Sequence, residues 1–396
     1  VAKNNAELRA ASENLHSTEA AKKAALSGFL PQVNGSLGYS YGTGTSSGSG
    51  AQLAASSLNG SADGNYTAAL SASQNLFSGF QDSGKVDQAA ANQRVAAAQL
   101  DVTKAKVASD LKSAYAGVLF AQRSISLQRD VSRRREENLR LVELRFQSGG
   151  ENKGSVLLSR AYLAQAKYDE LQSKNNIRVS RLQLARILGR DGDFDFEVVD
   201  DMPLETLPLN PDLKKLAVMT PEHVVAVGQE EAAIAAVTIA RAGFYPTFSL
   251  SATASRLGKE WFPQTERWSI GATISIPIFT GGKDYYGTQG AIATRTSAEA
   301  SRMNVGRQLL AKLEQTYSGY LEASEKLKVD ESFREAALKR AEIARGKYNN
   351  GLMSFDDWDV IENDLIVRER AVLQSQKDRA AAEAAWVQAL GKGVTP

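Results

Sequence analysis

Cysteine is absent from this 396-residue chain, which excludes a disulfide framework and any thiolate metal site. Histidine is almost absent: His16 and His223 are far apart in sequence, so a metal site is not expected and catalytic chemistry has few tools. An excess of either charge is also missing. Forty-seven Lys and Arg against 45 Asp and Glu leave a net charge of +2, without the strongly basic face that nucleic-acid binding needs. No run of roughly 20 consecutive apolar residues is present, so any membrane crossing must use strands. The opening Val1-Ala2-Lys3 carries no charged-then-apolar leader and reads as a mature or trimmed start.

What is present is enough to fold, with 43% hydrophobic and 23% charged residues. The dominant pattern is an internal duplication, which dictates architecture before any single motif is read. Ala25-Leu26-Ser27-Gly28-Phe29-Leu30-Pro31 recurs as Ala240-Arg241-Ala242-Gly243-Phe244-Tyr245-Pro246, a helix that stops before an extended segment. At a constant shift of 202, Leu76-Phe77-Ser78-Gly79 recurs as Ile278-Phe279-Thr280-Gly281, and Arg145-Phe146-Gln147-Ser148-Gly149 as Lys347-Tyr348-Asn349-Asn350-Gly351. Ile187-Leu188-Gly189 likewise matches Ala389-Leu390-Gly391. The first half has 13 extra residues between its proline and its Phe-Ser-Gly signal, within the Gly/Ser-rich Gly42 to Gly64, which reads as a long loop.

Alternation with period 2 follows each proline. Val33, Leu37, Tyr39 and Tyr41 oppose Asn34, Ser36, Gly38 and Ser40; Tyr66, Ala68, Leu70 and Ala72 oppose Thr67, Ser71, Ser73 and Asn75. The second half repeats this with Phe248, Leu250 and Ala252, then with Trp268, Ile270 and Ile274, each against Ser, Thr or Gly. A soluble sandwich alternates equally well. Small uncharged polar faces suit a wet lumen, however, and Tyr41, Tyr66 and Trp268 fall at the loop-proximal ends, where a membrane girdle would lie. Four strands cannot close a membrane barrel, because about eight is the smallest number and an open edge is forbidden in lipid. Protomers must pool strands; two would supply eight and three would supply twelve.

Residues 82–146 and 283–348 contain no proline and few glycines, permitting two helices near 65 residues, roughly 100 Å each. A heptad row runs Leu111, Val118, Ile125, Ser132, Leu139, Phe146, and the 202 shift lays it on Leu313, Tyr320, Leu327, Arg334, Ala341, Tyr348, implying left-handed supercoiling. The seams are Ala-rich and interrupted by charge, as at Arg133-Arg134-Arg135-Glu136-Glu137, which reads as a solvated face or a belt for a wrapping partner. Thin seams of this kind suit helices in a ring.

Taken in order and twice over, helix, G-F-x-P, strand pair, F-S/T-G, very long helix, R/K-F/Y-x-x-G turn, return helix and A/I-L-G resemble the TolC family of outer-membrane efflux and secretion proteins. The resemblance covers nearly the whole chain. It implies a mainly α fold with a β-barrel contribution: a homotrimer sharing a 12-strand barrel, four strands per chain, and a 12-helix periplasmic α-barrel of long coiled-coil helices. The expected organisation is a first repeat over 1–189 (strands about 32–41 and 66–77, helices about 82–146 and 155–188). An equatorial linker follows over 190–211. A second repeat covers 212–396 (strands about 246–256 and 268–278, helices about 283–348 and 354–390). The resemblance further implies a passive conduit in a Gram-negative outer membrane, with neither enzymatic activity nor cofactor. Its partners would be outer-membrane lipid, a periplasmic adaptor and, through the adaptor, an inner-membrane pump of ABC, RND or MFS type. Asn5-Ala6-Glu7-Leu8 looks like the family's N-P-E-L helix start, echoed by Thr220-Pro221-Glu222-His223, and the shorter lead before the first implies a missing natural N-terminus, with which a lipid-bearing cysteine could have been lost.

At the expected tunnel entrance, Tyr348 and Gly351 match the family's inner turn and Asp357 its acidic ring; Asp356, Asp359 and Glu362 add charge, giving a negative mouth if tripled. Each acid also suits a helix N-terminus on its own account. The family's gate arginine falls at Met353 and its carboxylate partner at Ser155, so the entrance is expected to be held by other contacts, through Glu151 or Lys153 beside Gly149. Gly79 to Val86 follows phosphate-loop spacing but ends in Val86 where magnesium needs Ser or Thr, and reads as a strand-to-helix turn. Asn34, Asn59 and Asn65 fit glycosylation acceptors by chance in a Ser-rich stretch. The rival functions are a trimeric coiled-coil adhesin with a barrel anchor, whose strands would all lie at the C-terminus, and a periplasmic adaptor, which needs no membrane strands.

Overall fold

The computed structural model describes residues 4–42, 63–191, 195–199 and 210–393. The Gly/Ser-rich loop over 43–62 and most of the 190–211 linker lie outside the described residues. In chain order the elements are α1 (Ala6–Leu26), β1 (Gln32–Gly42), β2 (Asp63–Phe77), α2 (Gln81–Gln147), α3 (Lys153–Leu188), α4 (Leu213–Met219), α5 (Pro221–Arg241), β3 (Thr247–Gly258), β4 (Thr265–Ser275), α6 (Lys283–Asn349) and α7 (Phe355–Ala389). Helix α4 is an addition to the sequence expectation. Its cap is Asp212, whose side chain accepts from the Lys215 N–H, just past the expected 190–211 linker.

The chain forms two compact units, and each repeat contributes to both: one unit joins 1–15, 95–226 and 302–396, the other 16–94 and 227–301. The second holds the sheet, antiparallel throughout in the order β1-β2-β3-β4, so β1 and β4 are its edges. The register puts Leu37 opposite Ala68, Ala68 opposite Arg256 and Arg256 opposite Glu266; one row lower, Leu70, Ala254 and Trp268 align. Because strand side chains alternate, Val33, Leu37, Tyr39, Leu70, Leu250, Trp268, Ile270 and Ile274 share one face, and Ser, Thr, Asn and Gly predominate on the other. The apolar face has no cover in the protomer: Leu37 is 84% exposed and Ile270 70%.

At the strand-to-helix junctions, Gly79 (φ 64°) is followed by Phe80 (φ 68°), and the equivalent pair is Gly281 and Gly282. A left-handed Phe is costly. Phe80 is held there by edge-on packing against Phe77 and Tyr245, with ring centroids 5.2 and 5.5 Å away.

In the first unit, α6 buries Leu313, Tyr320, Leu327, Ala341 and Tyr348 of the heptad row and exposes Arg334. In α2 the expected row is displaced. Val118 is buried, but Leu111, Ile125, Ser132 and Leu139 are half-buried and Phe146 is exposed; the buried row is Ala121, Gln128, Arg135 and Val142, with Val131 and Asn138 between. Three of these six are polar, and two of them, Gln128 and Arg135, find partners on α7, Arg370 and Asp359, so an apolar pattern search passes over them. The α2–α7 contact is a ladder of such bonds: Lys112 to Glu383 (2.5 Å), Arg123 to Gln376 (2.9 Å), Arg134 to Glu369 (2.5 Å) and Arg135 to Asp359 (3.1 Å). The charge run is therefore split, with Arg133 exposed, Arg134 paired and Arg135 buried.

One helical stretch among the described residues, Pro221–Phe244, is long and apolar enough to span a bilayer by length and composition, which corrects the expectation of none. Its acids are nonetheless paired, Glu222 with Lys312 (2.8 Å) and Glu231 with Arg94 (2.9 Å), and Gly84 of α2 lies close against its Ile239. It packs through Ala226, Gly228, Ala235 and Val237, while Val224 and Ile234 are exposed.

Candidate functional site

The α2–α3 and α6–α7 turns are built alike. Gly149 (φ 77°) and Gly351 (φ 75°) take the left-handed conformation that ends each long helix, and a polar cap starts each return helix. Asn152 accepts from the Ser155 N–H at 3.0 Å, and Ser354 from the Asp357 N–H at 3.2 Å. The Ser354 hydroxyl also donates to Asp357 at 2.6 Å, so Asp357 both completes the cap and sits in the helix dipole.

Beneath the turns lies a core of Val142, Val156, Ala344, Tyr348, Phe355 and Trp358. Tyr348 stacks on Trp358 with centroids 4.3 Å apart and planes 11° from parallel, while the Arg145 guanidinium covers the Tyr348 ring at 4.6 Å and donates to the Tyr348 carbonyl. The Tyr348 hydroxyl donates to Glu151 at 3.0 Å. Glu151 in turn accepts from the Ser155 hydroxyl at 3.0 Å and the Asn152 N–H at 3.2 Å, so one carboxylate ties the first turn to the second. Burial pushes the Tyr348 phenol well above its ordinary range, and the bond to Glu151 adds to the shift.

These placements sort the sequence-predicted residues. Asp356, Asp357, Gly351, Gly149 and Lys153 are exposed, and Glu151 is half-buried. Tyr348 is fully buried and belongs to the core under the turn. Asp359 and Glu362 are buried as well, which removes them from the expected acidic mouth: Asp359 pairs with Arg135 at 3.1 Å and Glu362 with Arg345 at 2.9 Å. Helical spacing explains both, since Phe355, Trp358, Asp359, Glu362 and Leu365 lie on the inner face of α7 at steps of three and four. Per chain, Asp356 and Asp357 are the exposed acids of this group. Met353 packs against the core, and Ser155 serves Glu151, so neither takes a gate arginine's or its partner's place.

Sequence reasoning missed Arg145, Trp358, Arg135 and Arg345. The available signal was the i, i+3 step from Phe355 to Trp358 and the aromatic Tyr348 beside a turn of equal length in both halves.

On the sheet, Tyr41 and Trp268 are 68% and 79% exposed on the apolar face. Tyr66, half-buried, lies against Tyr39 at 4.7 Å and edge-on to Trp261 at 5.5 Å, which adds Tyr39 and the turn residue Trp261 to the expected trio. A second aromatic collar of Phe29, Phe77, Phe80, Phe244 and Tyr245 occupies the strand ends next to the helices. Between them β3 advances about 26 Å from Phe248 to Arg256, at ~3.3 Å per residue, comparable to the apolar band of a membrane barrel.

No group of three or more His, Asp and Glu that could hold a metal ion occurs among the described residues. The profile of the outer membrane efflux protein family matches residues 1–190 and 220–392. Nodulation protein T of Rhizobium leguminosarum bv. trifolii is 22% identical over 76% of this chain and 66% of its own length. The alkaline protease secretion protein AprF of Pseudomonas aeruginosa is 24% identical over 68% and 56%. The chain thus spans less than two thirds of these curated relatives. Among solved structures, a chain of CusC superposes with a TM-score of 0.87 at 17% identity, covering 99% of this chain and 90% of that one.

Proposed function

We propose, because this chain belongs to the outer membrane efflux protein family, that three copies assemble into a passive conduit that carries solutes out through the outer membrane. The observation that carries this reading is the sheet. It is four-stranded, open at β1 and β4, apolar and uncovered on one face, and lined with small polar residues on the other. In lipid each unpaired backbone group at such an edge costs several kcal/mol, so the sheet is stable only when closed by other copies. Three copies give 12 strands, with the Ser- and Thr-rich face inward around water, and α2, α3, α6 and α7 of each give 12 helices.

The chain supplies a path and no energy source. A periplasmic adaptor and an inner-membrane pump of ABC, RND or MFS type would then drive cargo through it, with the adaptor meeting the turns at 148–152 and 350–354. The entrance would present Asp356 and Asp357 from each copy. Glu151, bonded to Tyr348 across the two turns, would hold it closed in place of the family's arginine lock. Native mass spectrometry and single-channel recording of the detergent-purified protein test the reading. It expects trimers that conduct; a monomer that stays soluble without detergent and gives no current refutes it.

A further inference from the structure

The polar face of the sheet is almost free of charge, and its exception is specific. Arg267 on β4 lies opposite Ser255, Ser255 opposite Ala69, and Ala69 opposite Ser36, so one row across all four strands on that face is Ser36, Ala69, Ser255, Arg267. These four residues border a concavity of the sheet. The other three are small and uncharged, so this row offers the guanidinium no counter-ion.

Among the described residues Arg267 has no counter-ion. It is exposed and makes no hydrogen bond or ion pair with a described residue, whereas its sequence neighbour Glu266 points to the opposite face and is paired with Arg256. Closure of the barrel brings no acid either. The strand that must pair with β4 is β1 of another copy, and Gln32–Gly42 contains no charged residue. The sequence of residues 43–62 contains none as well. The nearest acid in the sequence of β2 is Asp63, whose backbone pairs with Gly42 at the strand's end, six residues and about 20 Å from Ala69. A solvated but unneutralised cation facing a narrow aqueous path raises the local concentration of anions and opposes cations.

We propose that Arg267 forms a threefold cationic collar in the barrel lumen and gives the exit a preference for anionic solutes, those carrying carboxylate or phosphate groups. The inference rests on the conduit reading above, and the collar adds a selectivity that the reading does not require.

The test is voltage-dependent block of the purified trimer in planar bilayers, with inositol hexakisphosphate as the probe, added on the side of the strand-connecting loops. Arg267→Ser is expected to raise the half-blocking concentration about tenfold, Arg267→Lys to retain most of the block, and Arg256→Ser, on the outer face, to leave it unchanged. All variants should conduct and remain trimeric by native mass spectrometry. Equal block of the wild type and Arg267→Ser, or equal loss on Arg256→Ser, overturns the collar while the conduit stands. A wild-type trimer that conducts nothing overturns the conduit itself, and the collar with it.

Discussion

The buried pair of Arg135 and Asp359 offers the sharpest test of the physical reading. The two side chains are 8% and 11% exposed and meet at 3.1 Å. Asp359 also accepts from Asn363 at 2.9 Å, and Arg135 lies 4.6 Å over the Tyr162 ring, so both charges are satisfied in a site that water scarcely enters. Removing one partner strands the other. Arg135→Met and Asp359→Leu are each expected to cost about 3–5 kcal/mol, most of it the desolvation of the surviving charge. The double variant replaces both with apolar groups of similar size and is expected to lie within about 1 kcal/mol of the wild type, or above it. At ~2–4 °C per kcal/mol for a long chain, each single variant should melt roughly 6–20 °C lower and the double variant near the wild type. Far-UV circular dichroism during heating, with oligomeric state checked by native mass spectrometry, measures all three. Single variants costing less than about 1 kcal/mol, or a double variant as unstable as the singles combined, would refute the claim that the pair is a desolvated unit.

Three further outcomes follow from other parts of the molecule. Ile270 on the apolar face should reject charge where Ser269 on the polar face accepts it: Ile270→Arg is expected to cost about 2–4 kcal/mol in the assembled barrel and Ser269→Arg under about 1, read from heat-modifiable mobility of the folded protein. In a spectrophotometric alkaline titration, one phenol should resist ionisation well past the ordinary tyrosine range, because burial and then Glu151 raise Tyr348, and Tyr348→Phe should remove that late step. The Asp330 carboxylate is held below its ordinary pKa by the Lys326 ammonium and then the Ser375 hydroxyl. Its stabilisation should therefore be full above about pH 3.9 and fade as pH falls through the lowered folded value; Asp330→Asn should flatten that acid limb, and an unchanged limb would contradict the linkage.

How much of this was legible in the sequence depends on which residues carry each feature. The strands follow from alternation, because a sheet with one face in lipid and one in water needs opposite chemistries at neighbouring positions, and Trp268 beside Ser269 states that locally. The α6 seam follows from spacing, since Leu313, Tyr320 and Leu327 are apolar as well as buried. The α2 seam does not, for Gln128 and Arg135 are inside for reasons that lie on another helix: Gln128 is bonded to Arg370 and Arg135 to Asp359, 242 and 224 residues away in sequence. The same distance hid the tip. From sequence, Asp356, Asp357, Asp359 and Glu362 are four acids in one helical turn or two, and all add to a negative entrance. The helical phase that places Phe355 and Trp358 in the core also carries Asp359 and Glu362 inward, where Arg135 and Arg345 neutralise them. Charge counted along a helix therefore overstates its field, and the part that survives, Asp356 and Asp357, is set by which acids the arginines of the two long helices cannot reach.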